Sequence, residues 1–225
     1  MLGQQPLELL KLALNKPRFD TDAVDRIRKQ LLANLAYAAR DPSRVASQDW
    51  YKIAFPNHPY GRPANGTAES LASITRDDLE AYRKRVFARS NLKVVAVGDI
   101  GEATLAAVLD DVFGPLPATD GLVPITPTKL PEKGRQIVVE MPVPQSVAVF
   151  GAGAMARKDP DFIPAFVLNH ILGGGGFASK LMEEVREKRG LVYSVYSYLH
   201  PMRSAAVFMG SVATKNESIA QSLDV

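Results

Sequence analysis

The chain has 225 residues, of which 46% are hydrophobic and 23% charged, a balance typical of a globular protein with one sizeable core or two smaller ones. Its formal net charge is only +3, and there is no basic tract interleaved with aromatic residues, which argues against nucleic-acid binding. There is no cysteine, which excludes thiolate metal sites and cysteine nucleophiles, and no apolar run approaches the ~20 residues of a membrane span.

Helical periodicity dominates the first half of the chain. Apolar spacing and capping residues predict helices over residues 7–14, 20–41, 42–55, 69–74, 75–87 and 102–113. Thr75, with Asp78 three residues on, is a capping-box variant that starts one of them. The second helix is predicted to bury a face formed by Val24, Ile27, Leu31, Leu35 and Ala38. The run NLKVVAVGDI, residues 91–100, is predicted to be a buried strand.

The composition changes at residues 115–134, where five prolines fall in a stretch with little periodicity, as in an extended linker. Beyond it, the sequence predicts strands over residues 135–141, 146–154, 192–199 and 205–213, and helices over 161–172, 181–189 and 216–225. The last two strands are joined by a short loop with Pro201, which predicts an antiparallel hairpin. The predicted class is α+β: antiparallel sheets with helices packed on one face, in two lobes joined by the proline-rich linker.

The most distinctive stretch runs from Leu172 to Ser197, LGGGGFASKLMEEVREKRGLVYSVYS. A run of four glycines opens a charged helix that ends at Gly190, and a β-prone segment follows at once. Arg186 and Tyr193 lie seven residues apart across this junction. The glycine run follows a helix and lacks the Gly-Lys-Ser/Thr signature of a phosphate-binding loop, which argues against nucleotide binding.

This stretch resembles the second domain of the pitrilysin/insulinase metallopeptidases, a group that includes the mitochondrial processing peptidases. Residues 55–100 are similar to the second half of that family's first domain, with an HPYG-type loop, a glycine-threonine turn, a helix and a strand ending in VGD. The resemblance implies that residues 1–114 are the second half of a first peptidase-like domain. It likewise implies that 115–134 are a linker and 135–225 the first half of a second such domain.

The resemblance also implies functional roles for the distinctive stretch. Arg186 and Tyr193 are expected to bind the backbone of a peptide substrate, opposite a zinc site on another domain. The glycines are expected to border the substrate chamber; they are Gly173, Gly174, Gly175 and Gly176. The residues alone leave another interpretation open, in which the glycine run is a turn that needs positive φ. Arg186 would then pair with Glu183 or Glu187 on the helix surface, and Tyr193 would fill the core.

The sequence excludes the family's zinc motif from this chain. In the inverted HxxEH motif, two histidines four residues apart ligate zinc and the glutamate is the general base. The three histidines, His58, His170 and His200, include no such pair. The resemblance places the family's third ligand, a Glu, at Asn34 and an assisting Glu at Ile27, and neither residue supplies a carboxylate. We therefore expect no metal site here, and we interpret His58 as a residue with a structural hydrogen bond.

The ends of the chain point to a fragment. The first helix has no strand before it and no Ser, Thr, Asp or Asn to cap it, and the last helix stops early. A chain that holds half of one domain and half of the next would expose strand edges, so self-association through open sheet edges is expected.

These inferences predict a non-catalytic subunit or domain of a zinc peptidase, inactive alone, which adds substrate-binding residues to a partner carrying HxxEH and zinc. A peptide substrate would be held in extended form by strand addition to a sheet edge. Two alternatives stay open: a purely structural family member, like the core subunits of respiratory complexes, and a fragment of a self-sufficient protease whose HxxEH lies outside this chain. Bacterial relatives often reside in the periplasm, which favours that compartment, with the cytoplasm as the alternative.

Overall fold

The computed structural model describes residues 4–225, which form two compact units. The helical unit contains the described residues up to Leu32 together with Ala68–Pro124, and the sheet unit contains Ala33–Thr67 together with Ile125–Val225. Residues 33–67 therefore group with the C-terminal sheet. The predicted assignment of 1–114, 115–134 and 135–225 to parts of two peptidase-like domains stays a prediction.

Eight α-helices and three strands make up the regular structure of the described residues. The helices are α1 (Gln4–Asn15), α2 (Thr21–Ala38), α3 (Pro42–Ala54), α4 (Ala68–Ser73), α5 (Arg76–Val86), α6 (Glu102–Phe113), α7 (Phe162–Asn169) and α8 (Ile219–Asp224). The strands are β1 (Gln145–Gly153), β2 (Ser194–Pro201) and β3 (Ala206–Lys215). Two π-helical turns, His170–Gly174 and Met182–Glu187, follow α7. None of the helices over residues 4–225 is long and apolar enough to cross a membrane.

Local side-chain bonds explain where the predicted helices begin. Thr75 Oγ1 accepts a hydrogen bond from the Asp78 backbone N–H at 3.2 Å, and Asp78 Oδ2 accepts one from the Thr75 N–H at 2.8 Å. This is the predicted capping box, and it satisfies two N–H groups that a helix start would otherwise leave unpaired. Asp41 caps α3 in a similar way, with Pro42 at the first helical position.

Two predicted strands are wrong. Residues 91–100 and 135–141 form no strand, and Val95 and Val97 are 89% and 96% exposed. Both runs have the composition of strands, but strand stability comes from pairing with neighbours, and neither run is paired in the described structure. The predicted buried face of α2 is also wrong in part, because Ile27 is exposed and no residue of this helix is fully buried.

The sheet is antiparallel with the order β1-β3-β2, so the predicted β2–β3 hairpin and the α+β class are confirmed. In the register, Ser197 pairs with Gly210 and Gly151 with Met209, so these two pairs point to opposite faces. The π-helical turn after α7 lies over Ser197, while Trp50 of α3 lies over Gly151. The sheet is thus covered on both faces. Strands β1 and β2 form its edges, and self-association through them stays a prediction.

The sheet unit has two buried clusters, one on each face. The α3 cluster consists of Ala54, Phe55, Val207 and Met209, with Trp50, Tyr51 and Tyr60 packed around it. The other cluster consists of Met182, Val185, Val192, Val195 and Val212. Burial of this apolar surface supplies most of the favourable free energy of folding, and it fixes the segments on which the candidate site is built.

Candidate functional site

Helix α7 is tied to strand β2 by a pair of buried polar side chains. Ser197 Oγ donates a hydrogen bond to Asn169 Oδ1 at 2.8 Å, and Asn169 Nδ2 donates to the Ser197 carbonyl at 3.3 Å. Each group therefore satisfies the other, which avoids the cost of burying an unpaired polar atom. Because Asn169 is the last residue of α7, this pair fixes the point at which the glycine run starts.

The first and last positions of the run require glycine for different structural reasons. Gly173 is buried against β2, where a Cβ atom would collide with Ser197 Oγ and lie 2.7 Å from the Ser197 backbone N. Only glycine allows an approach this close. Gly176 instead has φ +60°, a backbone conformation that glycine adopts without strain. The interpretation of the run as a turn with positive φ therefore applies to Gly176, and the substrate-binding role of all four glycines stays a prediction.

Replacing Gly173 by Ala is expected to destabilise the sheet unit. Overpacking of a tight site costs about 1–3 kcal/mol, and here both backbone and side-chain atoms of Ser197 stand in the way. Urea denaturation followed by Trp50 fluorescence measures the change. Gly153→Ala is the control, because no atom lies within 4 Å of a Cβ at that position of β1. Equal midpoints for the two variants would contradict the proposed close approach.

A groove of about 360 Å³ lies between the glycine run and the β2 edge. It is lined by Phe166, His170, Tyr196 and Tyr198, together with Gly173, Gly174 and Gly176. The rings of Tyr196 and Tyr198 stack with centroids 6.2 Å apart. Burial raises the pKa of Tyr198, and Tyr196 adds to this, so the phenol keeps its proton at neutral pH. The groove thus lies between glycine backbone on one side and an edge strand of the sheet on the other.

Arg186 belongs to the π-helical turn Met182–Glu187, a geometry often found at functional sites. Its neighbours Met182 and Val185 are buried in the core, which fixes the backbone from which Arg186 extends. The guanidinium carbon lies 4.9 Å from the centroid of the Phe177 ring. Arg186 Nη1 is 3.4 Å from Glu187 Oε1, so the pairing with Glu187 is present, but it is long and largely exposed.

The other charges of this turn neutralise one another. Glu183 accepts from Lys180 at 2.7 Å and pairs with Lys188 at 3.0 Å. Glu184 accepts from Lys188 at 2.6 Å and from Arg189 at 2.8 Å. Hydrogen bonds from Lys188 and then Arg189 lower the pKa of Glu184 to about 2, so this network stays charged well below neutral pH. Arg186 makes no ion pair with either carboxylate.

Tyr193 lies just before β2, where its backbone N–H donates to the Ala213 carbonyl at 2.9 Å. Its side chain is 50% exposed, so the alternative that Tyr193 fills the core is wrong. Neither Arg186 nor Tyr193 lines the groove itself. Arg186 lies over the ring of Phe177, which follows Gly176 in the chain but does not line the groove. Phe177 was missed by the sequence analysis, although its place beside the glycine run was a signal.

The histidines are not arranged as metal ligands. His58 Nδ1 accepts from the Tyr60 N–H at 3.2 Å, and its Nε2 lies 3.2 Å from the Thr126 carbonyl, so the predicted structural hydrogen bond is present. Within residues 4–225 no three His, Cys, Asp or Glu side chains converge to hold a metal ion. Asn34 is exposed on α2 and offers only a neutral amide. The residues of this chain therefore do not fit the zinc site of the resembled peptidases.

Comparisons with known proteins identify a family to which most of the chain is similar. The family model described as the peptidase M16 inactive domain matches residues 73–225. A crystal structure of a peptidase M16 inactive domain from Pseudomonas fluorescens is 34% identical, with a TM-score of 0.89, over 98% of this chain and 53% of that one. The non-peptidase homologue YmxG of Helicobacter pylori is 31% identical over 92% of this chain and 48% of its own length.

A protein of Mycobacterium tuberculosis named as an uncharacterised zinc protease is also 31% identical, over 81% of this chain and 42% of its own length. A periplasmic protease, PqqL from Escherichia coli, has a TM-score of 0.74 at 16% identity, which is a likeness of fold. This chain spans about half the length of the relatives it matches.

Proposed function

The chain belongs to the peptidase M16 inactive-domain family, and from this premise we propose that it binds an extended peptide for a partner subunit or domain that carries HxxEH. The predicted membership of the pitrilysin/insulinase-type metallopeptidases is confirmed. The observation that carries the proposal is the groove between the glycine run and the open β2 edge, in a chain whose residues do not fit a zinc site.

The β2 edge supports the mode of binding. Strand β2 is an edge of the three-stranded sheet, and an extended peptide binds to such an edge by adding a strand. At Ser197 the carbonyl already accepts from Asn169 Nδ2 at 3.3 Å, so the proposed strand addition concerns the rest of β2. Gly173, Gly174 and Gly176 line the facing wall of the groove, where the lack of side chains leaves room for a peptide backbone. Phe166 of α7 adds an apolar surface that suits uncharged peptide side chains. Tyr196 and Tyr198 border the groove along β2, but their side chains alternate with Ser197 and lie toward the other face of the sheet.

Arg186 and Tyr193 are the proposed donors to a peptide carbonyl. The guanidinium has five N–H donors and the phenol has one O–H, and both stabilise negative charge that develops on a carbonyl oxygen. Two observations support this role: Arg186 is outside the ion-pair network formed by its neighbours, and Tyr193 is half exposed. In this proposal zinc, its ligands and the general base belong to the partner.

The experiment uses the chain purified without a histidine tag. We expect fluorescence anisotropy to detect binding of a labelled, unstructured peptide, while metal analysis finds no stoichiometric zinc and a fluorogenic peptide is not cleaved. Stoichiometric zinc together with chelator-sensitive cleavage would show a self-sufficient protease. The absence of any peptide binding would favour the second candidate function below.

The second candidate is a structural member of the family without a peptidase role. The relative described as a non-peptidase homologue, which matches 92% of this chain, favours it. A structural member needs no free groove, whereas a peptide-binding member needs the groove to be accessible. A failure to bind peptide, or binding that is lost when the chain assembles with its partner, would therefore support the structural candidate. Binding that persists in the assembly would support the peptide-binding candidate.

A further inference from the structure

We propose that Phe177 is a positioning residue for Arg186: its aromatic face holds the guanidinium at the end of the glycine run, ready to meet a peptide carbonyl. This inference rests on the proposed peptide-binding function and deepens it. It starts from an exposed aromatic ring whose place in the fold is otherwise unexplained, since the Phe177 side chain is 73% exposed.

The backbone beneath Phe177 is fixed. The residue occupies a short turn, Gly176–Ala178, which begins at the positive φ of Gly176 and ends at the fully buried Ser179. Ser179 closes this turn twice, because its backbone N–H donates to the Gly176 carbonyl at 3.1 Å and its Oγ donates to the same oxygen at 2.8 Å. The ring therefore extends from a rigid support into solvent, where an unpartnered phenyl group is unfavourable.

The guanidinium that covers this ring is also on a fixed support, since Val185 beside Arg186 is 3% exposed. The nearby carboxylates of Glu183 and Glu184 would attract a free arginine, but three other cations already neutralise them: Lys180, Lys188 and Arg189. With those sites filled, the Phe177 face is the close partner that Arg186 has among residues 4–225, besides the long contact to Glu187. The two rigid supports and the filled carboxylates together determine where the guanidinium lies.

A contact of this kind leaves the donors of arginine available. A cation over a ring is attracted by the electron density of the face, so the N–H groups in the guanidinium plane stay free to bind a carbonyl. The ring thus reduces the number of arginine conformations that must be given up when peptide binds. Exposed cation–π contacts of this strength correspond to a roughly two- to fivefold change in affinity.

The test is a double-mutant cycle on peptide affinity, measured by anisotropy on the full chain. Phe177→Leu keeps an apolar side chain but removes the aromatic face, Phe177→Tyr keeps the face, and Arg186→Ala removes the cation. We expect Phe177→Leu to weaken binding two- to fivefold, Phe177→Tyr to retain it, and Phe177→Leu to have no further effect in the Arg186→Ala background.

Three outcomes would overturn the proposal. If the wild type and Phe177→Leu bound peptide with equal affinity while Arg186→Ala bound it more weakly, the ring would not position Arg186. An equal loss from Phe177→Leu in both backgrounds would mean that Phe177 binds peptide directly. Peptide affinity that is unchanged by substitution of either Phe177 or Arg186 would also refute the proposed role of Arg186. A complete lack of peptide binding by the wild-type chain would instead refute the proposed function itself.

Discussion

Changing Arg186 to Ala, in a complex with a subunit that carries HxxEH, is expected to lower kcat/KM about a hundredfold while complex formation and zinc content stay unchanged. Losing one donor to a developing oxyanion costs on the order of 3 kcal/mol of transition-state stabilisation, which corresponds to that factor. Tyr193→Phe, which removes a single hydroxyl from a half-exposed side chain, is expected to act in the same direction. Steady-state kinetics on the purified complex, with metal analysis of each variant, measures both effects.

The controls for this prediction come from the same turn. Arg186→Lys is expected to rescue poorly, because an ammonium group does not reproduce the planar fork of guanidinium donors. Arg189→Ala is the matched control: Arg189 is held by Glu184, with bonds of 2.7 Å to its carbonyl and 2.8 Å to its carboxylate. If Arg186, Tyr193 and Arg189 variants all gave equal, small losses, the pair would be ordinary surface, and the family resemblance would extend to the fold without the function.

Sequence patterns predicted the helices well, because the forces that start and end a helix act over three or four residues. The Thr75–Asp78 capping box is an example: both partners are visible in the sequence, and both hydrogen bonds form. The runs at 91–100 and 135–141 show the opposite case. Their apolar, β-branched residues satisfy every local criterion for a strand, but a strand also needs a partner, and no local pattern identifies one.

The sequence indicated the glycine run that forms one wall of the groove, but not the contacts that hold this run in place. The family resemblance, and not spacing alone, pointed to the glycines, Arg186 and Tyr193. Gly173, Gly174 and Gly176 line the groove and Arg186 and Tyr193 do not, and the substrate-binding role of all of them stays a prediction. The reason for Gly173 was not visible in the sequence, because the Ser197 atoms that exclude a side chain at Gly173 come from a strand 24 residues further along the chain. The bond between Asn169 and Ser197 and the contact between Phe177 and Arg186 are likewise tertiary. Such contacts follow from the packing of the turn on β2, which the sequence does not display.

Because residues 33–67 group with the sheet, a second large effect is expected when Phe55 in this segment is replaced. Phe55, at the end of α3, is 1% exposed and lies among Val207 and Met209 of β3. Its ring stacks on Tyr51 at 6.1 Å and meets Tyr60 edge to face at 5.6 Å. These contacts join a helix that precedes the proline-rich segment to a strand near the other end of the chain, so Phe55 supports the scaffold on which β2 and its groove are built.

Replacing Phe55 by Ala is therefore expected to cost about 3–5 kcal/mol, the usual price of emptying a buried phenyl site. That is a large part of the 5–15 kcal/mol that typically separates folded from unfolded domains, so the variant is expected to unfold at a much lower urea concentration. Trp50, the sole tryptophan, lies 6.3 Å from the Phe55 ring and reports directly on this cluster by fluorescence. Phe177→Ala removes the same group from an exposed site and is expected to change stability by less than about 0.5 kcal/mol. Similar midpoints for the two variants would mean that α3 does not pack on the sheet in solution, whereas a large loss confined to Phe55→Ala would show that the stability of the sheet unit depends on a helix from before the proline-rich segment.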